Sequence, residues 1–293
     1  MVFAERQPEG EKPDFKEIRG SIRERIADHF KEHPERYTAT YFGRNQFAME
    51  EIGKRLLEFK DSGEPIIIND VGPGAHPRKK IRLLGKEVMT ENDSYEPFEL
   101  LNEARKAGIA PEKFLVYVLD IRPDVLITVK STRTVRVPAG GSSAPIELAI
   151  PYLQNFFPDM QEKEKSGVIK VKIPKDYRRR IVCPEPFNIV EKPAPVQANI
   201  TLGFLQGSFG SRSSSEEIEG DSTKISGISN LAKSTRSGGY LITHMDIGLR
   251  EGLKDELLKE LGLSKVRRVH VPDPQKVYSN YAWYDEFTVY RKA

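Results

Sequence analysis

Apolar and polar positions along this chain follow two spacings, and the switches between them mark out its elements. Ile18, Ile22, Ile26 and Phe30 recur every four residues, the spacing of one helix face. With Asp14 as capping residue, they predict a helix from Phe15 to Lys31. His33-Pro34 ends it, because the residue before proline disfavours helical backbone. Residues 1–13 are polar, carry Pro and Gly, and are expected to form a disordered arm. A second stripe, Phe47, Ile52, Leu56 and Phe59, predicts a helix over Gln46–Phe59 closed by Gly63 and Pro65.

Two later runs have no such period. Ile66-Ile67-Ile68-Asn69-Asp70-Val71 and Phe114–Leu119 are almost continuously apolar, as strands buried on both faces of a parallel sheet are. Between them Pro97–Ala107 predicts a helix closed by Gly108. From Ile127 to Asp176 the pattern breaks into an irregular insertion. It reads as a strand-like TVKSTRTVRV, a turn at Pro138-Ala139-Gly140-Gly141, a short helix around Ile146–Phe156 and a charged turn at Asp159–Lys165. Strands are expected again at Arg180–Cys183, Asn199–Phe204, Tyr240–His244, Val266–Val271 and Phe287–Tyr290, with helices at Ile225–Lys233 and Gly252–Leu261. Gly207–Asp221 is Gly/Ser-rich and acidic and reads as a mobile surface loop. The fold class this predicts is α/β: a Rossmann-like, doubly wound, mostly parallel sheet with a short helical N-terminal segment. Residues 1–45 are expected to be a tail and helical lid, and 46–293 the main domain.

Composition narrows the function. The chain has 293 residues, enough for one large domain. Lys+Arg 46 against Asp+Glu 43 gives a net charge of +3, which argues against a general nucleic-acid binder. The basic clusters Arg78-Lys79-Lys80, Arg178-Arg179-Arg180 and Arg267-Arg268 read as solvated faces. A single cysteine, Cys183, permits no intrachain disulfide and no Cys-rich zinc site, so a reducing cytoplasm is the expected compartment. No apolar run approaches the ~20 residues that span a bilayer, and the first residues lack the apolar core of a signal peptide. A soluble protein with no membrane partner is expected.

The chemistry concentrates at two strand ends. Asp70-x-Gly72-x-Gly74 places an acid beside a glycine turn that backbone or ligand can approach closely. Asp120, ending the next strand, can accept hydrogen bonds from both hydroxyls of a ribose. Together they describe an adenosine site at the carboxyl edge of a doubly wound sheet. The alternative is a structural turn followed by a solvated strand-end acid. A dinucleotide fingerprint needs a third glycine where this chain has Pro77, and no Walker lysine frame follows. A nucleoside without phosphate, such as S-adenosylmethionine, therefore fits better than NAD or ATP.

At this point an ordered series of segments resembles the class I S-adenosylmethionine methyltransferases, and within them the chemotaxis-receptor glutamate methyltransferase (CheR) family. Thr38-Ala39-Thr40-Tyr41-Phe42-Gly43-Arg44 resembles that family's N-x-T-x-F-F-R. Tyr95-Glu96-Pro97-Phe98 resembles E-E-P-Y, and Leu119–Leu126 resembles T-D-I-x-x-x-x-L. Tyr152–Phe157, Arg180–Glu191 and Gly238–Asp246 are similar to y-L-x-x-y-F, V-x-F-x-x-x-N-L-L and G-G-x-L-x-x-G-H-S-E. The resemblance covers roughly residues 38–250. It implies S-adenosylmethionine as cofactor, with Thr38, Thr40, Arg44, Asp70, Gly72, Gly74, Glu96, Asp120 and Asn188 around it. Glu96 would bind near the methionine amino group, Asp120 the ribose, and Asn188 would lie by the adenine. Arg44 has its own rationale, since a guanidinium can grip the cofactor carboxylate with two hydrogen bonds; the alternative is a surface arginine at a helix entrance. The chain departs from the family in its short N-terminal segment, in the extra residues between Gly74 and Glu96, and in Phe204-Leu205 where the family has Arg-Asn.

Methyl transfer to a small molecule or protein side chain is thus the expected activity. A hydroxyl or amine acceptor needs a base, for which Tyr41 and His244 are the candidates, although a lone His at a strand end is also a common structural residue. His29, His33, His76 and His270 are too scattered for a metal cluster, and no G-x-S-x-G elbow is present. Tyr278, Tyr281, Trp283, Tyr284 and Phe287 either line an acceptor pocket or pack an edge strand. Two other functions stay open: a non-catalytic binding or regulatory protein of the same fold, and a nucleotide-dependent oxidoreductase.

Overall fold

A computed structural model describes residues 46–73, 80–83, 86–89, 95–138, 152–163, 168–203, 217–244, 251–270 and 286–293. The predicted helix Phe15–Lys31 and the N-terminal arm lie outside the described residues. The chain divides into the units Met1–Thr38 and Ala39–Ala293, and all described residues belong to the second.

Helix α1 (Gln46–Phe59) leads into strand β1 (Ile66–Val71), and a hairpin of β2 (Lys80–Leu83) and β3 (Lys86–Met89) follows. Then come α2 (Glu96–Lys106), β4 (Phe114–Leu119), α3 (Pro123–Ser131) and β5 (Thr134–Pro138). After β6 (Gln161–Lys163), β7 (Val168–Lys172) and the single turn α4 (Lys175–Arg178), the chain reaches β8 (Ile181–Val182) and β9 (Ala198–Gly203). It ends with α5 (Glu217–Lys233), β10 (Thr235–His244), α6 (Glu251–Glu260), β11 (Leu263–His270) and β12 (Glu286–Lys292).

The seven-stranded sheet has the order β11-β12-β10-β9-β1-β4-β8. β8, β4, β1, β9 and β10 run parallel, and β12 is antiparallel to both of its neighbours. Counting only parallel strands in chain order, this is the 3-2-1-4-5-6 winding of a doubly wound sheet, with one antiparallel strand set between the last two. The expected fold class is therefore observed.

Alternation along the strands supplies two cores. Ile66 and Ile68 of β1 and Phe114, Val116 and Val118 of β4 pack with Met49, Ile52 and Leu56 of α1 and Phe98 and Leu101 of α2. Val71, Leu119, Leu241 and Tyr290 point the other way, onto Ile228 and Leu231 of α5 and Leu257 and Leu258 of α6. Each face burying its own helices is why β1 and β4 are apolar except at Asn69 and Asp70.

Several expectations are corrected. The segment expected to be strand-like from Ile127 splits: residues through Ser131 are helical and only Thr134–Pro138 form a strand. Pro123 opens α3, and Val125, Leu126 and Val129 bury one helix face; that tertiary burial overrides the strand preference of β-branched residues. The described part of the insertion is not irregular. β5, β7 and β6 make a three-stranded antiparallel sheet, with β6 inside the segment read as a charged turn. Val135, Val137 and Val171 add to the α2-side core. Of the short helix expected at Ile146–Phe156, residues 152–154 are helical and 146–151 lie outside the described residues. α5 starts at Glu217, inside the segment expected to be a loop.

The Gly238-Gly239 pair has a structural task. The register of β10 against β9 shifts between Thr235 and Tyr240. Gly238 sits there at φ 74°, and a Cβ on Gly239 would lie 2.8 Å from the Asn199 carbonyl oxygen. Gly239→Ala is expected to destabilise the fold by about 1–3 kcal/mol, as overpacking does. Urea denaturation with an unshifted midpoint would contradict this account of the pair.

Candidate active site

Strand order reverses between β1 and β9, and ligands of open α/β sheets bind outside the carboxyl ends of the strands at such a point. Leu119, Val71, Gly203 and Thr243 lie side by side across β4, β1, β9 and β10. The next residues along these strands bring Asp120, Gly72 and His244 to one edge. At ~4.8 Å per strand, His244 begins about 10 Å from Gly72. Gly72 has φ 73° and donates its N–H to the Leu119 carbonyl at 2.8 Å. A side chain there costs roughly 1–2 kcal/mol in left-handed backbone, so the bend that opens this edge requires glycine.

Asp120 is buried, and its Oδ1 accepts the Arg122 backbone N–H at 2.8 Å, fixing the carboxylate's orientation. Its carbonyl accepts the Phe187 N–H at 2.9 Å, which draws Asn188 to the same edge. The Asn188 side chain is itself held: Oδ1 accepts the Val190 N–H at 3.0 Å and Nδ2 donates to Glu191 Oε1 at 3.1 Å.

Beside this edge lies a group of buried acids. Asp70 shares strand parity with Ile66 and Ile68, so its side chain enters the face that α2 covers. Glu96 and Glu99 stand in the first turn of α2, both buried. The helix dipole favours ionised carboxylates at that end. Asp70 has 0% exposure, and neither of its carboxyl oxygens finds a hydrogen bond of conventional geometry. Burial, with the neighbouring charges of Glu96, Asp120 and Glu99, holds its pKa well above the ordinary carboxylate range. The site thus gathers several buried acids, and the proton affinity of Asp70 among them is raised. Among the described residues, no group of three or more His, Cys, Asp or Glu is placed to hold a metal ion.

Of the residues expected around the cofactor, the fold brings Asp70, Gly72, Glu96, Asp120 and Asn188 to this edge. Thr38, Thr40, Tyr41, Arg44 and Gly74 lie outside the described residues, as do Phe204-Leu205 and the aromatic stretch 278–284. His244 ends β10 opposite Phe287, and its side chain is not among those described. Phe287 itself is core, packed on the α2 side of the sheet. Glu99 was not singled out from sequence, although its spacing of three from Glu96 puts both on one helix face. Cys183 is buried, which pushes its thiol up to about 11 and leaves it unreactive.

No family model matches this chain, and no curated protein does. Among solved structures it is similar to the N-methyltransferase NodS from Bradyrhizobium japonicum WM9 in complex with S-adenosyl-L-homocysteine. That match has 13% identity, 93% of this chain and 97% of that one covered, and a TM-score of 0.37. A TehB-like S-adenosylmethionine-dependent methyltransferase from Corynebacterium glutamicum matches at 12% identity, covering 94% and 100%, with a TM-score of 0.34. An O-methyltransferase family protein from Burkholderia thailandensis matches at 7% identity, covering 94% and 70%, with a TM-score of 0.40.

Proposed function

We propose that this chain is an S-adenosylmethionine-dependent methyltransferase acting on a small molecule or a protein side chain. The buried acids at the switch point, Asp70, Glu96, Glu99 and Asp120, carry this reading. They oppose the phosphates of NAD or ATP and favour an adenosyl ligand bearing a sulfonium and an ammonium. The antiparallel β12 between β10 and β11 departs from an all-parallel dinucleotide-binding sheet. The order of the motifs, from Tyr95-Glu96-Pro97-Phe98 to Gly238-Gly239, supports a divergent relative of the chemotaxis-receptor methyltransferases.

The cofactor supplies an activated methyl group, and the chain supplies alignment. Asp120 would hold the ribose, Glu96 the ammonium, and the Gly72 bend would let the ligand approach the backbone. In-line displacement gains most from fixing acceptor, methyl and sulfur on one axis. A carboxylate acceptor needs no base, whereas a hydroxyl or amine acceptor would use Tyr41 or His244.

Isothermal titration of the full-length protein with S-adenosylhomocysteine tests the reading. Saturable one-to-one binding is expected, with NAD and ATP giving none. A folded sample that ignores S-adenosylhomocysteine would overturn it.

A further inference from the structure

We propose that a cavity at the β8 edge of the sheet binds the phosphate group of a small molecule, at a site separate from the adenosyl edge. The cavity measures about 290 Å³, and its lining includes Phe98, Ile181, Lys130, Lys175, Arg178 and Arg179. That is near the lower end of small-molecule sites, which run from ~300 to ~1,000 Å³. An apolar floor with polar groups converging on it is the usual construction of such sites.

Charge decides the ligand class. Lys130 comes from the last turn of α3, and Lys175, Arg178 and Arg179 come from α4 and its end, more than forty positions further along the chain. Among the described residues, none of the four has an ion-pairing carboxylate or a side-chain hydrogen bond. Asp176, on the same turn, is exposed and does not line the cavity. Four cations around one small cavity repel each other, and a multiply charged anion relieves that repulsion better than a single carboxylate. Arginine forks match phosphate oxygens two at a time.

Lys130, Lys175 and Arg179 are exposed, so solvation accounts for them, but not for Arg178. Arg178 is half-buried, and its Nε is buried with no hydrogen-bond partner. Leaving such a donor unsatisfied costs about 1–3 kcal/mol. The basic run Arg178-Arg179-Arg180, expected from sequence to be a solvated face, is thus partly withdrawn from water. Lys130 complements the C-terminal end of its helix, whereas α4, which carries Lys175 and Arg178, is a single turn, and the buried Nε of Arg178 is left without a partner. The arrangement of the four cations in a single cluster, not a stripe, fits one phosphate group and not a nucleic-acid backbone.

The cavity is close to the acid cluster without being part of it. Phe98 comes from the turn of α2 that also carries Glu96 and Glu99. The Cys183 thiol feels Lys130 and Asp70 in opposite senses. A phosphate held here stays apart from the carboxylates while its organic remainder is free to extend along the sheet.

The test uses the full-length protein, titrated with inorganic phosphate and with glycerol 3-phosphate at low ionic strength. Saturable binding that weakens as salt is added is expected. Tighter binding of the ester places the natural ligand among phosphate esters, and equal binding places it among free phosphates. The double variant Lys130→Gln/Arg179→Gln, both exposed positions, should lose at least tenfold in affinity, whereas Lys259→Gln/Lys265→Gln should stay within twofold. No binding by the folded wild type, or full binding by the first variant, overturns the proposal. S-adenosylhomocysteine titration of the same variant keeps the two sites distinct: its affinity is expected to be unchanged whatever the phosphate result.

Discussion

Asp120→Asn is expected to weaken S-adenosylhomocysteine binding about 10- to 100-fold while the far-ultraviolet circular dichroism and denaturation midpoint stay at wild-type values. A hydrogen bond to a charged partner is worth about 1.5–3 kcal/mol, and each 1.4 kcal/mol is roughly tenfold in affinity. Asparagine keeps Oδ1, and with it the bond from the Arg122 N–H at 2.8 Å, so the turn after β4 survives. It loses the negative charge and turns one acceptor into a donor. Alanine would remove the turn's acceptor as well and confuse local folding with binding. An affinity within twofold of wild type would place the ribose elsewhere.

The second large effect concerns Asp70 and pH. Burial, and then the charges of Glu96, Asp120 and Glu99, raise its proton affinity in the folded state, whereas in the unfolded chain the proton leaves near the ordinary aspartate pKa of about 3.9. The folded state therefore binds more protons than the unfolded one above that pH. Stability is fully present below about pH 3.9 and falls as pH rises through the raised pKa, by up to about 1.4 kcal/mol per unit. Asp70→Asn removes this group's share of the slope. Glu103 is also raised by burial, but it contributes equally in both proteins, so the difference between them isolates Asp70. Urea denaturation from pH 5 to pH 9 is expected to give a flatter dependence in the variant. Parallel curves would mean that Asp70 is ionised in the folded protein. The same proton predicts that S-adenosylmethionine binds more tightly as pH rises. Binding of the cationic ligand favours the ionised acid, so titration enthalpies should depend on the buffer in wild type and not in Asp70→Asn.

Both experiments rest on residues that were readable from sequence to different degrees. Asp120 follows a six-residue apolar strand, and Asp70 and Gly72 close another; a strand buried on both faces announces itself by composition alone. Glu96 came only with the family resemblance, because a first-turn glutamate is common in any helix. Its meeting with Asp70 was not legible. That contact depends on which face of β1 residue 70 takes and on which side the connection through α2 crosses. The Gly238-Gly239 pair was readable as a motif but not as a bulge, since the carbonyls that exclude a Cβ belong to Ala198, Asn199 and Arg236.

What the sequence determined by itself was the doubly wound sheet, because its signal is local: continuous apolar strands, four-residue helix stripes and glycines at the turns. It also determined that the carboxyl edge carries acids and no phosphate-binding fingerprint. Tertiary structure alone decided three things. It turned Thr128–Ser131 into helix, because burial against the α2 side outweighed β-branched propensity, and it paired 161–163 with 168–172 as sheet. It brought Asp70 near Glu96 and Glu99, all three buried, where proximity and desolvation, not residue type, set the proton affinity. And it gathered Lys130 with Lys175, Arg178 and Arg179, whose separation along the chain leaves no periodic trace. Charge clusters act through space, and only the fold sets that distance.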